Sequence, residues 1–190
     1  MTAGYSGPIP LSRLPAFENR SGDVTVVVET PKGSPNKYGY DPAPNAFRLK
    51  AVLPEGTAFP YDFGFIPSTL GQDGDPIDLL LFLDSPAAVG CILTARLIGV
   101  IEARQREGDG EWVSNDRLLG VATHAHTHNH VHGLEDLRPN LLDEIEQFFA
   151  HYVGSQGREF DATGRAGPDR ARALVEEAIA RGRADAADQG

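Results

Sequence analysis

Residues 59–82 read FPYDFGFIPSTLGQDGDPIDLLLF, a stretch that ends in a carboxylate-rich turn and an apolar run. Asp73, Asp75 and Asp78 place three carboxylates within six residues. Residues 79–83 predict a buried strand that fixes one end of this turn. Because clustered carboxylates repel one another, they need water or cations nearby, and hard cations such as Mg2+ prefer oxygen ligands. These residues alone are equally typical of a solvated acidic turn.

The complete stretch resembles the signature region of the soluble family I inorganic pyrophosphatases. That family's pattern runs aromatic-Pro-x-Asn-Tyr-Gly-aromatic-Ile-Pro-x-Thr-Leu and then Asp-Gly-Asp-Pro-hydrophobic-Asp. The resemblance extends more thinly over residues 24–152. It implies an inorganic diphosphatase that splits pyrophosphate into two phosphates with divalent metal ions. Mg2+ is the expected cofactor, Mn2+ and Zn2+ are the alternatives, and the family implies a homo-oligomer.

Length and composition predict an ordinary globular protein. The chain has 190 residues, of which 41% are hydrophobic and 23% charged. We expect one domain over residues 1–190, with an arm at 1–21 and a frayed tail at 183–190. The net charge of -10 argues against nucleic-acid and anionic-membrane partners, although bound cations would still allow an anionic substrate. A charged-apolar leader and a membrane-length apolar run are not evident, so we expect a cytoplasmic protein.

The pattern of apolar residues predicts short strands followed by two helices. Strands are expected at residues 23–29, 37–41, 47–53, 79–83, 91–103 and 118–122. Residues 54–70 are expected to form a long ordered loop. One helix should cover residues 141–152 with Asn140 as its cap, and a second should start near Pro168. This order predicts an α+β fold, which the resemblance sharpens to a five-stranded OB-like barrel with two C-terminal helices.

Pyrophosphate hydrolysis requires neutralisation of the leaving phosphate and a water that is deprotonated near neutral pH. Divalent ions supply both, and a neighbouring carboxylate completes such a site as the base. The resemblance assigns metal binding to Asp73 and Asp78 and the general base to Asp75. Glu29, at the end of the first strand, matches a family active-site glutamate and is a further candidate metal ligand. Alone, Glu29 is also typical of a solvated strand end.

Four further side chains are candidates for holding phosphate. The resemblance places Lys37 and Arg48 at phosphate-binding cation positions and Tyr152 at the position of a phosphate-contacting tyrosine. Arg117 occupies the position of a family lysine. For the cations, the alternative is a solvated surface charge; for Tyr152 it is a core aromatic ring whose hydroxyl reaches the rim.

The chain also departs from the family pattern at five positions. The changed positions are Gly39 for a Glu, Phe63 for a Tyr, Gln105 and Asn115 for two metal-binding Asp, and Val153 for a Lys. Asp116 lies one residue out of register and is the remaining candidate metal ligand in its segment. An amide is a weaker partner for Mg2+ than a carboxylate, so these changes should weaken metal binding. The alternative function is therefore a catalytically weakened or altered-substrate homologue that binds phosphate compounds or metal.

Two other interpretations were open. An unrelated OB-fold nucleic-acid binder is disfavoured by the net charge and by the lack of a basic aromatic face. Residues 123–132 carry alternating histidines, namely His124, His126, His128, His130 and His132. In an extended chain these would face one side and could bind a metal such as Zn2+, whereas the alternative is a solvated loop.

Overall fold

The computed structural model describes residues 9–18 and 21–188. Ten of the 21 residues of the expected arm, at positions 1–8, 19 and 20, therefore lie outside the described residues, as do residues 189 and 190 of the expected tail. The strands are β1 (Val24–Thr30), β2 (Asn36–Asp41), β3 (Ala46–Val52), β4 (Asp62–Phe65), β5 (Asp78–Phe82), β6 (Ile92–Glu107), β7 (Val113–Ser114), β8 (Arg117–Ala122) and β9 (Arg158–Ala166). The helices are α1 (Leu141–Gly154) and α2 (Pro168–Asp188), with short 3-10 turns at Leu11–Arg13 and Leu134–Asp136.

Five strands close a ring in the order β1, β4, β5, β8, β6 and back to β1. Every pairing in the ring is antiparallel except that of β5 with β8. All seven residues of β1 and all six of β8 are buried, because both strands have neighbours on each side. The ring and the two C-terminal helices confirm the predicted α+β fold. Strands β7 and β9 extend the sheet by pairing with β6.

A separate two-stranded hairpin, β2–β3, is fastened to the ring by side chains of β1. The Tyr38 N–H donates to Thr30 Oγ1 at 3.0 Å, and the Tyr40 N–H donates to Glu29 Oε1 at 2.7 Å. These bonds place the side chain of Lys37 beside the carboxylate of Glu29. The hairpin therefore carries its cations to the same end of the ring as the acidic turn.

Strand β4 lies within the expected long loop. Its four residues are buried between β1 and β5. A Cβ on Gly64 would lie 2.2 Å from the Val27 carbonyl oxygen, so glycine permits the close approach of β4 to β1. Pro60, Pro67 and the glycine hide this strand from a pattern based on β-branched residues.

Both predicted helices are present, with two differences. Leu141, Ile145, Phe149 and Val153 bury one face of α1, as the apolar spacing predicted. The Asn140 side chain makes no capping bond, so that prediction was wrong. The residue has a left-handed backbone (φ 66°), and its carbonyl accepts the Glu144 N–H at 3.0 Å. Helix α2 continues to Asp188, so residues 183–188 of the expected frayed tail are helical.

Within residues 9–18 and 21–188, no helix is both long enough and apolar enough to cross a membrane.

Candidate active site

A cavity of about 440 Å3 opens between the acidic turn, the β2–β3 hairpin, the edge of the ring at β6 and β8, and helix α1. We call residues 71–78 the acidic turn. Gln105, Asn115 and Arg117, which line the cavity from β6 and from the segment that leads into β8, are called the arginine side. Seven of the nine predicted site residues line the cavity: Glu29, Lys37, Asp73, Asp75, Asp78, Arg117 and Tyr152. Arg48 and Asp116 do not line it.

The acidic turn is held in shape by its own backbone. The Gly71 N–H donates to the Asp75 carbonyl at 2.6 Å, and the Asp75 N–H donates to Asp73 Oδ1 at 3.3 Å. Gly74 has φ 89°, a conformation that residues with a Cβ rarely adopt. Thr69 Oγ1 accepts the Ile77 N–H at 3.0 Å and ties the end of the turn to the preceding loop. These hydrogen bonds therefore hold the backbone that carries the three carboxylates in one conformation.

Asp78, the first residue of β5, forms an ion pair with Arg117, the first residue of the neighbouring strand β8. Its Oδ2 lies 2.7 Å from NH1 of Arg117, and the two side chains are 24% and 5% exposed. The Arg117 guanidinium also donates to the side-chain oxygen of Asn115 and to the Asp116 carbonyl, and its Cζ lies 4.9 Å from the ring centroid of Phe149. The pairing thus connects the acidic turn to the arginine side.

Burial shapes the protonation of the carboxylates on the acidic turn. It raises the pKa of Asp78 to about 6, against the opposing charges of Arg117 and Lys37. Burial also raises the pKa of Asp73, against the hydrogen bond from the Asp75 backbone. A cation brought next to such a carboxylate lowers its pKa again. The cavity therefore favours positively charged occupants beside the turn.

Glu29 and Lys37 form a second pair on the hairpin side of the cavity. Lys37 Nζ lies 3.1 Å from Glu29 Oε2, with both side chains less than 15% exposed. The ammonium group also lies 3.9 Å from the ring centroid of Phe63. The phenylalanine that stands in place of the family tyrosine therefore supports a lysine through a cation–π contact.

Arg48 and Lys50 occupy different positions on β3. Arg48 Nε lies 2.6 Å from Asp41 Oδ2, and its side chain is 62% exposed. The pairing of β2 and β3 skips Lys50, which leaves it as a bulge residue whose side chain lines the cavity. A Cβ on Gly39 would lie 2.9 Å from Lys50 Cγ, so the departure at Gly39 leaves room for this lysine. The sequence around Lys50 carries no signal for the bulge.

Of the two remaining predicted residues, Tyr152 lines the main cavity and Asp116 does not. Tyr152 is 9% exposed and lines the cavity, and burial raises the pKa of its hydroxyl. Asp116 instead accepts the Ala103 N–H at 2.9 Å, and it borders a smaller cavity of about 80 Å3 that Asp73 and Asp78 also line. Burial raises the pKa of Asp116. Sequence reasoning also missed Arg158, which lines the main cavity from β9.

Strand β9 itself was not predicted. Its sequence, REFDATGRA, lacks a clear alternation of apolar residues. It forms by pairing along β6 from Val100 to Glu107, an extension of β6 beyond its predicted end at residue 103. The position of Arg158 at the cavity thus depends on a long-range pairing.

All five departures from the family pattern line the cavity: Gly39, Phe63, Gln105, Asn115 and Val153. Gln105 and Asn115 are neutral and add no charge to the cavity. The donors that fit a hard divalent ion are therefore concentrated on the acidic turn, where Asp73 and Asp75 have no ion-pair partner within the described residues. Mg2+ is commonly held by one or two carboxylates together with water and phosphate oxygens, so these two residues fit it.

The histidine row does not form the extended strand on which its proposed metal role depended. Residues 123–132 are folded into turns. The N–H groups of His126 and Thr127 donate to Asp84 at 2.8 and 2.9 Å, and the His132 N–H donates to Asp136 at 2.8 Å. Across residues 9–18 and 21–188, His, Cys, Asp and Glu form no group of three or more that could hold a metal ion. The predicted one-sided row was wrong because turns bond its backbone to acidic side chains.

Comparisons with known proteins agree with this geometry. The family model described as inorganic pyrophosphatase matches residues 26–183. An inorganic pyrophosphatase of Synechocystis is 38% identical over 169 residues, which are 89% of this chain and 96% of that protein. One from Geobacillus stearothermophilus is 35% identical over 87% of this chain and 96% of its own length.

Solved structures show the same relationship. The crystal structure of inorganic pyrophosphatase from Thermus thermophilus has a TM-score of 0.82 and 32% identity, and the match covers 92% of this chain and 99% of that one. An inorganic pyrophosphatase from Neisseria gonorrhoeae has a TM-score of 0.80 at 32% identity, over 90% of this chain and 96% of its own. The chain belongs to the inorganic pyrophosphatase family.

Proposed function

We propose that the protein is an inorganic pyrophosphatase that hydrolyses pyrophosphate to two phosphates with the help of Mg2+. The observation that carries this proposal is the composition of the cavity, where the carboxylate turn and the largely buried cations Lys37 and Arg117 line one space. A small polyanion with bound divalent ions matches this pairing of opposite charges. The family membership supports the same substrate.

In this proposal the acidic turn binds the metal ion. Asp73 would hold the ion, with Glu29 and Asp78 as the other candidate ligands at the cavity. When bound, Mg2+ supplies charge neutralisation and lowers the pKa of a bound water. Asp75 acts as the general base, because it lies at the tip of the turn and is open to the cavity.

The cations of the other walls orient the two phosphoryl groups. Lys37 and Arg117 are held by Glu29 and Asp78, so they enter the reaction already positioned. Lys50, exposed on the hairpin, adds a third positive charge at the cavity. The Tyr152 hydroxyl stays protonated at neutral pH, since burial raises its pKa, and it donates a hydrogen bond to a phosphate oxygen.

The remaining parts of the proposal rest on the family. We infer a single catalytic domain over the whole chain, a homo-oligomeric assembly and a cytoplasmic location. Light scattering coupled to size-exclusion chromatography would measure the assembly directly. A monomer at micromolar concentration would contradict the oligomer.

A binding module is the second candidate, and the five departures favour it because all of them line the cavity. On this alternative, the acidic turn and the buried cations would bind phosphate compounds or metal without rapid hydrolysis. Turnover of pyrophosphate separates the two candidates, because a binding module would saturate with ligand and release no phosphate.

The test is phosphate release from pyrophosphate by the intact protein, with Mg2+, Mn2+ or Zn2+ and with a chelator in place of metal. The proposal predicts metal-dependent release at a rate in the range of ordinary enzymes, about 1–1000 per second. Folded protein that releases no phosphate with any of the three metals would refute it. Circular dichroism on the same sample establishes that the protein is folded.

A further inference from the structure

Half of the carboxylates at the cavity already have a cation beside them. The four are Glu29, Asp73, Asp75 and Asp78. Lys37 pairs with Glu29 at 3.1 Å, and Arg117 pairs with Asp78 at 2.7 Å. Within the described part of the chain, Asp73 and Asp75 form no ion pair. Asp73 and Asp75 are therefore the carboxylates of the cavity whose negative charge is left for an added cation to neutralise.

Arg117 is built into the wall of the cavity. It is the first residue of β8, its backbone pairs with Ile101 of β6, and the whole residue is 4% exposed. Its guanidinium packs on Phe149 and donates to the amide oxygen of Asn115. Its buried Nε has no hydrogen-bond partner within the described residues, so the group keeps an unused donor. Burying a guanidinium is costly unless it is paired, which makes Asp78 its required partner.

The neutral residue at position 115 fits this arrangement. The Asn115 oxygen accepts a hydrogen bond from the guanidinium without adding a second negative charge. Arg117 and Asp78 then form a pair with balanced charge. A carboxylate at 115 would compete with Asp78 for the same guanidinium, as like charges at one site disfavour each other.

A divalent ion on Asp78 would have to share the carboxylate with this arginine. A metal lies about 2 Å from its oxygen ligand, and Arg117 NH1 lies 2.7 Å from Asp78 Oδ2. An ion on that oxygen would therefore be within about 5 Å of the guanidinium nitrogen. Two cations at this distance in a partly buried site repel each other strongly.

We propose that the Arg117 guanidinium is a fixed cation that takes the place of a metal ion at Asp78. Asp78 then anchors Arg117, and of the three carboxylates on the acidic turn Asp73 binds the divalent ion, while Asp75 stays free to act as the general base. This inference deepens the proposed function, because it states which carboxylates of that same site hold metal. It predicts a site with fewer metal ions than its carboxylates would allow.

The test is Mn2+ binding by isothermal titration in the absence of pyrophosphate. The unmodified protein is compared with Asp73→Asn, Asp78→Asn and the exposed control Asp109→Asn. We expect Asp73→Asn to weaken Mn2+ binding at least tenfold, and Asp78→Asn and Asp109→Asn to change it less than threefold. Equal weakening by Asp73→Asn and Asp78→Asn would overturn the inference. Failure of the unmodified protein to bind Mn2+ would overturn it too.

A second measurement uses the unmodified protein, because Asp78→Asn leaves a buried guanidinium unpaired and could prevent folding. The Arg117 Nε–H resonance is followed by 15N NMR during titration with diamagnetic Mg2+. The inference predicts that this resonance keeps its position at saturating Mg2+. A large shift, as expected when Arg117 leaves Asp78, would overturn it. Neither experiment depends on turnover, so a protein that binds metal in this pattern and releases no phosphate would refute only the proposed function.

Discussion

The acidic turn and the arginine side line one cavity and meet where strands β5 and β8 pair, but their charges are balanced differently. The acidic turn presents Asp73, Asp75 and Asp78 from a short loop that its own backbone bonds hold in place. The arginine side presents two neutral amides and a buried guanidinium. The carboxylates of a site can therefore be neutralised either by exchangeable bound ions or by a positively charged side chain of the protein itself.

The largest expected effect concerns the acidic turn. Asp75→Asn removes the proposed base while keeping the size of the side chain. We expect kcat for pyrophosphate hydrolysis to fall about 100- to 10,000-fold, the usual contribution of a general base. The exposed carboxylate of Asp109 provides the control, since Asp109→Asn should leave kcat unchanged. Less than a threefold loss in Asp75→Asn would show that another group takes the proton.

The next effect concerns the arginine side. Arg117→Gln keeps a hydrogen-bond donor and loses the charge, and the carboxylate of Asp78 loses its partner. We expect kcat/KM to fall about 10- to 100-fold, the range of a charge-assisted hydrogen bond to phosphate. Arg104→Gln, which removes an exposed arginine paired with Asp161, is the matched control. If both variants lose the same amount of kcat/KM, the arginine side has no special role.

A smaller effect separates the two basic residues of β3. Lys50 is exposed at the cavity, where solvent weakens its attraction for phosphate, so Lys50→Ala should raise KM about 3- to 10-fold with little change in kcat. Arg48→Ala should leave both constants unchanged, because Arg48 pairs with Asp41 outside the cavity. Steady-state kinetics on the two variants shows which of the two side chains contributes to KM. A larger rise in KM for Arg48→Ala would reverse the assignment.

The smallest effect tests a carboxylate that belongs to neither side. Asp62 is 1% exposed, accepts the N–H groups of Lys32 and Ala87, and does not line the main cavity. Burial raises its pKa above the ordinary value. A raised pKa means that stability from this group is complete below the unfolded pKa and is lost as pH rises through the folded pKa.

Asp62→Asn should therefore gain melting temperature relative to the unmodified protein as pH increases from 4 to 8. The gain should reach about 2–4 °C, which corresponds to ~1 kcal/mol in a domain of this size. Differential scanning calorimetry at several pH values measures it. A difference that stays constant over this range would show that Asp62 does not titrate as its burial implies.

Local chemistry explains why the acidic turn could be predicted from sequence and the cavity residues of β3 and β9 could not. Asp73, Asp75 and Asp78 lie within six residues, so their proximity follows from the chain itself. Lys50 reaches the cavity through a bulge, and Arg158 reaches it through the pairing of β9 with β6. Both depend on contacts between distant segments that periodicity does not report.

The strands and helices show the same division. Strands β1, β5 and β8 have continuous apolar or β-branched sequences and were predicted within one residue at each end. Strand β4 contains Gly64, whose missing side chain lets β4 approach β1 closely. Glycine is unfavourable within strands, so the residue that allows β4 to pack closely against β1 also weakens the sequence pattern that would predict β4.

The most direct measurement is the position of Mn2+ in crystals of the unmodified protein, read from its anomalous scattering. We predict a peak beside Asp73 and Asp75, with the Arg117 guanidinium still paired to Asp78. A peak on Asp78 with Arg117 turned away would contradict the division of the cavity into a metal-binding turn and a fixed cation.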